Sequence, residues 1–110
     1  MKKVTLRKYS DPGHGWYAVP VALIEKLSLD LTGFDRVITN RKGRAIFLEE
    51  DCEIEPIVIQ LKNLGIEVNV KEFHCNKQSK VRNYPLIDPK HLLSFNNSVN
   101  AMSHFTKDKA

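Results

Sequence analysis

The chain has 110 residues, 42% of them hydrophobic, with 17 Lys and Arg against 13 Asp and Glu for a formal charge of +4. A single core at this length buries roughly two thirds of the surface that the unfolded chain exposes, so the composition predicts one domain without disulfide or metal staples and excludes a two-domain reading. The longest uncharged stretch, His91 to Thr106, is interrupted by Ser, Asn and His and falls short of the roughly 20 consecutive apolar residues of a membrane span. Met-Lys-Lys has the charge of a signal-peptide lead, but Thr5, Arg7 and Lys8 stand where an apolar region belongs. The expectation is a cytoplasmic protein without a membrane partner or cofactor, with Cys52 and Cys75 as free thiols.

Val4 and Leu6 alternate with Thr5 and Arg7, which predicts a strand over about residues 3 to 9, ended by Ser10-Asp-Pro-Gly-His-Gly. Pro20, Leu23, Ile24 and Leu27 share one side of a helix over about 20 to 28, with Pro20 at the first helical position. Residues 36 to 39 and 44 to 48 are rich in β-branched or aromatic apolar side chains, and Asn40-Arg-Lys-Gly43 between them suits a hairpin turn. Ile54, Ile57, Val58, Leu61 and Leu64 recur at helical spacing, with Asp51 or Glu55 as the start signal and Gly65 as the stop. Ile66, Val68 and Val70 then alternate with Glu67, Asn69 and Lys71 in a last strand that ends near Phe73.

The order βαββαβ predicts an α+β fold of the ferredoxin-like, split βαβ type: two helices on one face of a four-stranded antiparallel sheet. The domain spans 1 to 89, with Tyr84, Pro85, Leu86 and Ile87 packed on it. Residues 90 to 110 form a polar C-terminal extension, either mobile or partly helical over His91 to Phe95. The second sheet face would be covered by another subunit or would hold a ligand. In this topology the strands at 3 to 9 and 44 to 48 run parallel at the centre. The His14 loop and the Glu49 to Asp51 turn then emerge together, whereas His74 lies at the opposite end and, unless the tail wraps back, meets His14 only across a subunit boundary, so a homo-oligomer is expected.

Two polar loops concentrate recognition chemistry. In Ser10-Asp-Pro-Gly-His-Gly-Trp-Tyr, two glycines let the backbone approach a ligand, His14 projects from the turn, and Trp16 and Tyr17 have rings able to stack on a planar group or to plug the core. In Phe73-His-Cys-Asn-Lys-Gln-Ser-Lys-Val-Arg-Asn-Tyr-Pro, the cations Lys77, Lys80 and Arg82 interleave with Asn76, Ser79, Asn83 and Tyr84, a mixture suited to phosphate oxygens and a base or ribose. His74-Cys75 lacks the spacing of a zinc site. Neither a phosphate-binding glycine loop nor a nucleophile motif is present. Glu49-Glu-Asp51 reads as an acidic helix start or as a partner for His14.

Trp16 to Leu29, followed by Asp35-Arg-Val and Arg44-Ala-Ile-Phe-Leu-Glu, resembles the swapped-hairpin barrels of AbrB-type transcription factors and antitoxins, which implies a dimeric nucleic-acid-binding regulator. Ser-Asp-Pro-Gly-His-Gly-Trp at 10 to 16, Val-Pro at 19 and 20, Phe-Leu-Glu-Glu-Asp-Cys at 47 to 52 and His-x-Asn-x-x-Ser-x-x-Arg at 74 to 82 together resemble small accessory proteins of bacteriophages and plasmids, across residues 3 to 85. The chain departs from that pattern in the 36 to 48 hairpin and in its long tail. The second resemblance implies a bacterial host cell as the setting, and action on host processes such as defence by binding a host protein or capturing a nucleotide signal.

The leading expectation is a non-catalytic module for a small anionic or nucleotide-like ligand. Trp16, Tyr17 or Tyr84 would stack, Lys80 and Arg82 would take phosphate, His14, His74, Asn76 and Ser79 would give polar recognition, and Glu50 or Asp51 would bind ribose hydroxyls. A nucleic-acid-binding regulator, a direct protein inhibitor of a host factor, and an acid–base hydrolase using His14 remain as alternatives. Residues 1 to 73 hold eleven Lys and Arg against eleven Asp and Glu, and residues 74 to 110 hold six against two, so the whole positive charge lies after the last predicted strand.

Overall fold

The computed structural model describes residues 2 to 90, so the expected helix over His91 to Phe95 and nearly all of the 90 to 110 extension lie outside the described residues. The elements are β1 (Lys2–Ser10), β2 (Gly15–Pro20), α1 (Val21–Leu27), β3 (Val37–Thr39), β4 (Ala45–Glu49), α2 (Glu55–Asn63), β5 (Ile66–His74), a 3₁₀ turn over Lys80–Asn83, and β6 (Leu86–Ile87). They build one six-stranded sheet in the order β5-β1-β2-β4-β3-β6. Among the described strand pairs only β1–β5 is parallel.

The α+β class and the two helices match the sequence expectation; the strand order does not follow the split βαβ arrangement. The cause is β2. Asp11 accepts hydrogen bonds at Oδ1 from the amides of Gly13 (2.9 Å) and His14 (3.0 Å), and its own amide donates to the His14 carbonyl (2.8 Å). This Asx-type turn folds the chain straight back, so residues 15 to 20 pair antiparallel with β1. β2 therefore sits between β1 and β4, and β1 takes β5 as its parallel neighbour.

Strand periodicity sends alternate side chains to opposite faces. On one face Leu6, Val19, Val37, Ile46 and Leu48 form a common core with Val21 and Ile24 of α1 and Ile57 and Leu61 of α2. Pro20 precedes α1 as its N-cap, and Ser28 closes the helix in the left-handed region at φ 52°. Pro56 stands in the first turn of α2, where its missing N–H costs nothing, and Gly65 at φ 74° turns the chain from α2 into β5. On the other face Trp16, Phe47 and Val81 are buried, with Tyr9, Ala18, Ile38, Ala45 and Tyr84 packed around them. The segment after β5 thus lays Val81 and Tyr84 over the second face, where a second subunit or a ligand was expected. The Tyr84 ring meets Phe47 at 5.1 Å between centroids. Among the described residues no helix is long and apolar enough to cross a membrane.

Candidate functional site

The β1–β2 turn and the loop after β5 meet at one end of the sheet. The parallel register places Ser10 beside His74, so the end of β5 lies next to the end of β1. This corrects the expectation that His74 sits at the far end and needs a subunit boundary to reach the His14 loop. Parallel pairing of β1 with β5 replaces the opposite-end geometry of the split βαβ sheet.

Asp11 joins the two loops. Beyond the two amides of its own turn, Oδ2 accepts from the Ser79 amide (2.8 Å) and from Arg82 Nε (2.7 Å), while Oδ1 accepts from a second Arg82 nitrogen (2.9 Å). The carboxylate side chain is 1% exposed and the Arg82 side chain 30%, so this is a bidentate, charge-assisted pair whose anionic end is shielded from water. Arg82 and the amides of Ser79, His14 and Gly13 hold the Asp11 carboxyl well below the usual carboxylate range, against the opposing effect of burial. The same hydrogen bonds raise Arg82 above the ordinary guanidinium value. The guanidinium also covers the Trp16 ring at 5.3 Å, and His14 packs against that ring at 5.7 Å.

Side-chain space explains the glycines. A Cβ on Gly13 would stand 2.7 Å from an Arg82 nitrogen, and one on Gly15 would stand 2.9 Å from the Glu50 carboxylate. Both glycines make room for the chain's own side chains, where close approach of a ligand was expected.

The residues singled out by sequence fall into three groups. Trp16 and Ser79 are buried, and the Ser79 hydroxyl accepts from the Val81 amide to start the 3₁₀ turn. Tyr17 lies on the helix-covered face under Lys8, whose ammonium is 5.5 Å from the ring, and Tyr84 packs on Phe47. These side chains, with Arg82, hold the loops in place. At the rim, His14 Nδ1 is 3.3 Å from Glu49 Oε2, both about half exposed, and Asn76, Lys77, Lys80 and Asp51 are exposed. Glu50 turns to Lys8 at 2.6 Å; this hydrogen bond raises the Lys8 pKa, partly offset by desolvation.

Ser10, Glu72 and His74 form a third arrangement. The Ser10 hydroxyl donates to Glu72 Oε2 (2.8 Å) and lies 3.0 Å from His74 Nδ1. With its single proton given to the carboxylate, the hydroxyl meets the imidazole as an acceptor. That polarity is the reverse of a histidine activating a serine, and Ser10 is buried. Cys52 and Cys75 are free and exposed.

Sequence reasoning expected one of Glu49 to Asp51 beside His14, and Glu49 is that partner; it missed Asp11 and the pair Ser10 and Glu72. Asp11 carried a readable signal, because Asp-Pro-Gly is an Asx-turn signature. Ser10 and Glu72 become neighbours only through the parallel register of β1 and β5. Compared with known proteins, the chain matches no family model, no curated protein and no solved structure.

Proposed function

We propose that the protein is a non-catalytic binding module for a small anionic or nucleotide-like ligand, taken at the rim where the β1–β2 turn meets the loop after β5. The observation that carries this reading is the Asp11 clamp, which fixes two polar loops of distant sequence side by side. Lys77 and Lys80 supply cationic donors for an anion, Asn76 supplies a neutral donor and acceptor, and the His14–Glu49 pair offers hydrogen bonds to hydroxyl groups. Arg82 orients the loop and is not a free phosphate ligand, because two of its nitrogens are committed to Asp11. In the setting implied by the resemblance to phage accessory proteins, such a module would sequester a nucleotide signal of host defence.

A thermal-shift and calorimetry screen against cyclic nucleotides and ADP-ribose derivatives tests this. A true ligand at 100 times its Kd stabilises the fold by about 2.7 kcal/mol. Removing one charge-assisted contact in Lys77→Ala or Lys80→Ala should weaken binding about tenfold or more. Failure of every compound to shift the melt, or affinity unchanged in both variants, would sink the reading.

A second reading, a nucleic-acid-binding regulator, draws on the exposed outer face of β1 and β5. There Phe73 stacks on Tyr9 (5.5 Å) while Arg7 and Lys71 lie 5.8 and 5.5 Å from its ring. Aromatic and cationic groups together suit a single strand, and binding would weaken steeply with salt. No gel shift at low salt would dismiss it.

A further inference from the structure

β5 pairs with β1 on one side, and among the described residues nothing pairs with its other edge. The Cys75 amide donates to the Ser10 carbonyl at 2.8 Å, so odd-numbered residues of this segment direct their backbone groups to β1. Ile66, Val68, Val70 and Glu72 accordingly direct theirs outward, a nine-residue open ladder. We propose that the chain forms a two-fold symmetric dimer in which β5 pairs antiparallel with β5 of a second copy, centred on Asn69, to make a continuous twelve-stranded sheet.

Backbone geometry and charge both select this register. Hydrogen-bonded pairs require outward-facing residues opposite one another, so even-numbered residues must oppose even-numbered ones. Centring on Val68 would put Glu67 opposite the partner's Asn69, and centring on Val70 would put Glu67 opposite the partner's Phe73. Centring on Asn69 sets Glu67 opposite the partner's Lys71, twice by symmetry, and Val68 opposite the partner's Val70. Glu67 and Lys71 are exposed, and no described ion pair occupies either.

The apolar surface follows the same edge. Val70 is 49% exposed, and a cavity of about 340 Å3 runs between α2 and the strands, lined by Leu6, Tyr17, Val58, Val68 and Val70. The partner's Val68 and Val70 would extend this strip on the helix-covered face. Gly65, just before β5, has open space where a Cβ would be, and the register brings the partner's Phe73 opposite it. The dimer stands apart from the ligand reading, since this edge uses none of His14, Asn76, Lys77 or Lys80.

Sedimentation equilibrium of the full chain tests the proposal, with circular dichroism melts to show that each variant folds. The wild-type chain should dimerise. Glu67→Lys and Lys71→Glu each turn two attractive pairs into two repulsive ones and should raise the dimer Kd about tenfold or more, and the double reversal should restore it. In a Cys52→Ser, Cys75→Ser background, Asn69→Cys should form an intersubunit disulfide on oxidation, because the two-fold axis places that residue opposite its own copy. A monomeric wild-type chain, a dimer indifferent to both single reversals, or no cross-link at position 69 would each overturn the proposal.

Discussion

The guanidinium of Arg82 grips the Asp11 carboxylate through two hydrogen bonds of 2.7 and 2.9 Å across 71 residues of sequence. This pair carries both the order of the site and the cover of Trp16. Asp11→Asn and Arg82→Lys should each lower the melting temperature and red-shift the emission of the single tryptophan, because either change breaks the planar bidentate match and uncovers the indole. Combining the two changes should cost less than the sum of the singles, the signature of one shared interaction. Additive losses in a double-mutant cycle would show that the residues act separately.

Acid should read the same pair. The Asp11 carboxyl titrates near 3.8 when unpaired and well below that in the fold, so the folded protein binds fewer protons than the unfolded chain just under that pH. Its stabilisation is therefore fully present above the unfolded value and is lost as pH falls from about 4 towards the depressed folded value. Denaturant melts of wild type and Asp11→Asn should stay separated by a constant amount above about pH 5 and converge as pH drops below about 4. Parallel curves down to the lowest pH would assign the acid dependence to other carboxylates.

Local periodicity made both helices, β1 and β5 legible, because each buries one side and leaves the other wetter, as in Leu61 beside exposed Lys62 or Leu6 beside exposed Arg7, whereas β3 and β4 were legible from β-branched and aromatic residues around a turn signal. β2 escaped because both of its faces are covered: Val19 packs in the helix-side core and Trp16 under Arg82, so Gly15 to Pro20 shows no polar alternation. The site was half legible for a related reason. The residue types in the two loops announced hydrogen bonding, but sequence gives no means of telling a donor that faces solvent from one, such as Arg82, that is already committed within the chain.

Gly13 and Gly33 give opposite expectations for the same substitution. A methyl on Gly13 would meet an Arg82 nitrogen at 2.7 Å, and that guanidinium cannot swing away without leaving Asp11. Gly13→Ala should therefore destabilise the wild-type chain and cost much less in an Arg82→Ala background, a non-additivity readable in denaturant melts. Gly33 has open space around its Cβ position, and Gly33→Ala should be neutral or should stabilise by up to about 1 kcal/mol through the unfolded chain. An equal cost for Gly13→Ala in both backgrounds would remove Arg82 as the reason for that glycine.

The two cores should fail differently. Leu48 is fully buried between the sheet and the helices, so Leu48→Ala leaves a cavity in the main core and should cost about 2 to 5 kcal/mol of global stability. Val81 is buried in the smaller cluster, where the segment after β5 lies on Trp16 and Phe47. Val81→Ala removes about two methylene equivalents and should cost roughly 1.5 kcal/mol. That loss falls on the docking of residues 79 to 84, while α1, α2 and the central strands keep their own core. Amide hydrogen exchange separates the two: Val81→Ala should speed exchange at Ser79 and Arg82, whose amides donate to Asp11 Oδ2 and to the Ser79 carbonyl, and leave Leu48 protected. Uniform acceleration across the sheet would mean that the segment after β5 and the main core unfold as one unit.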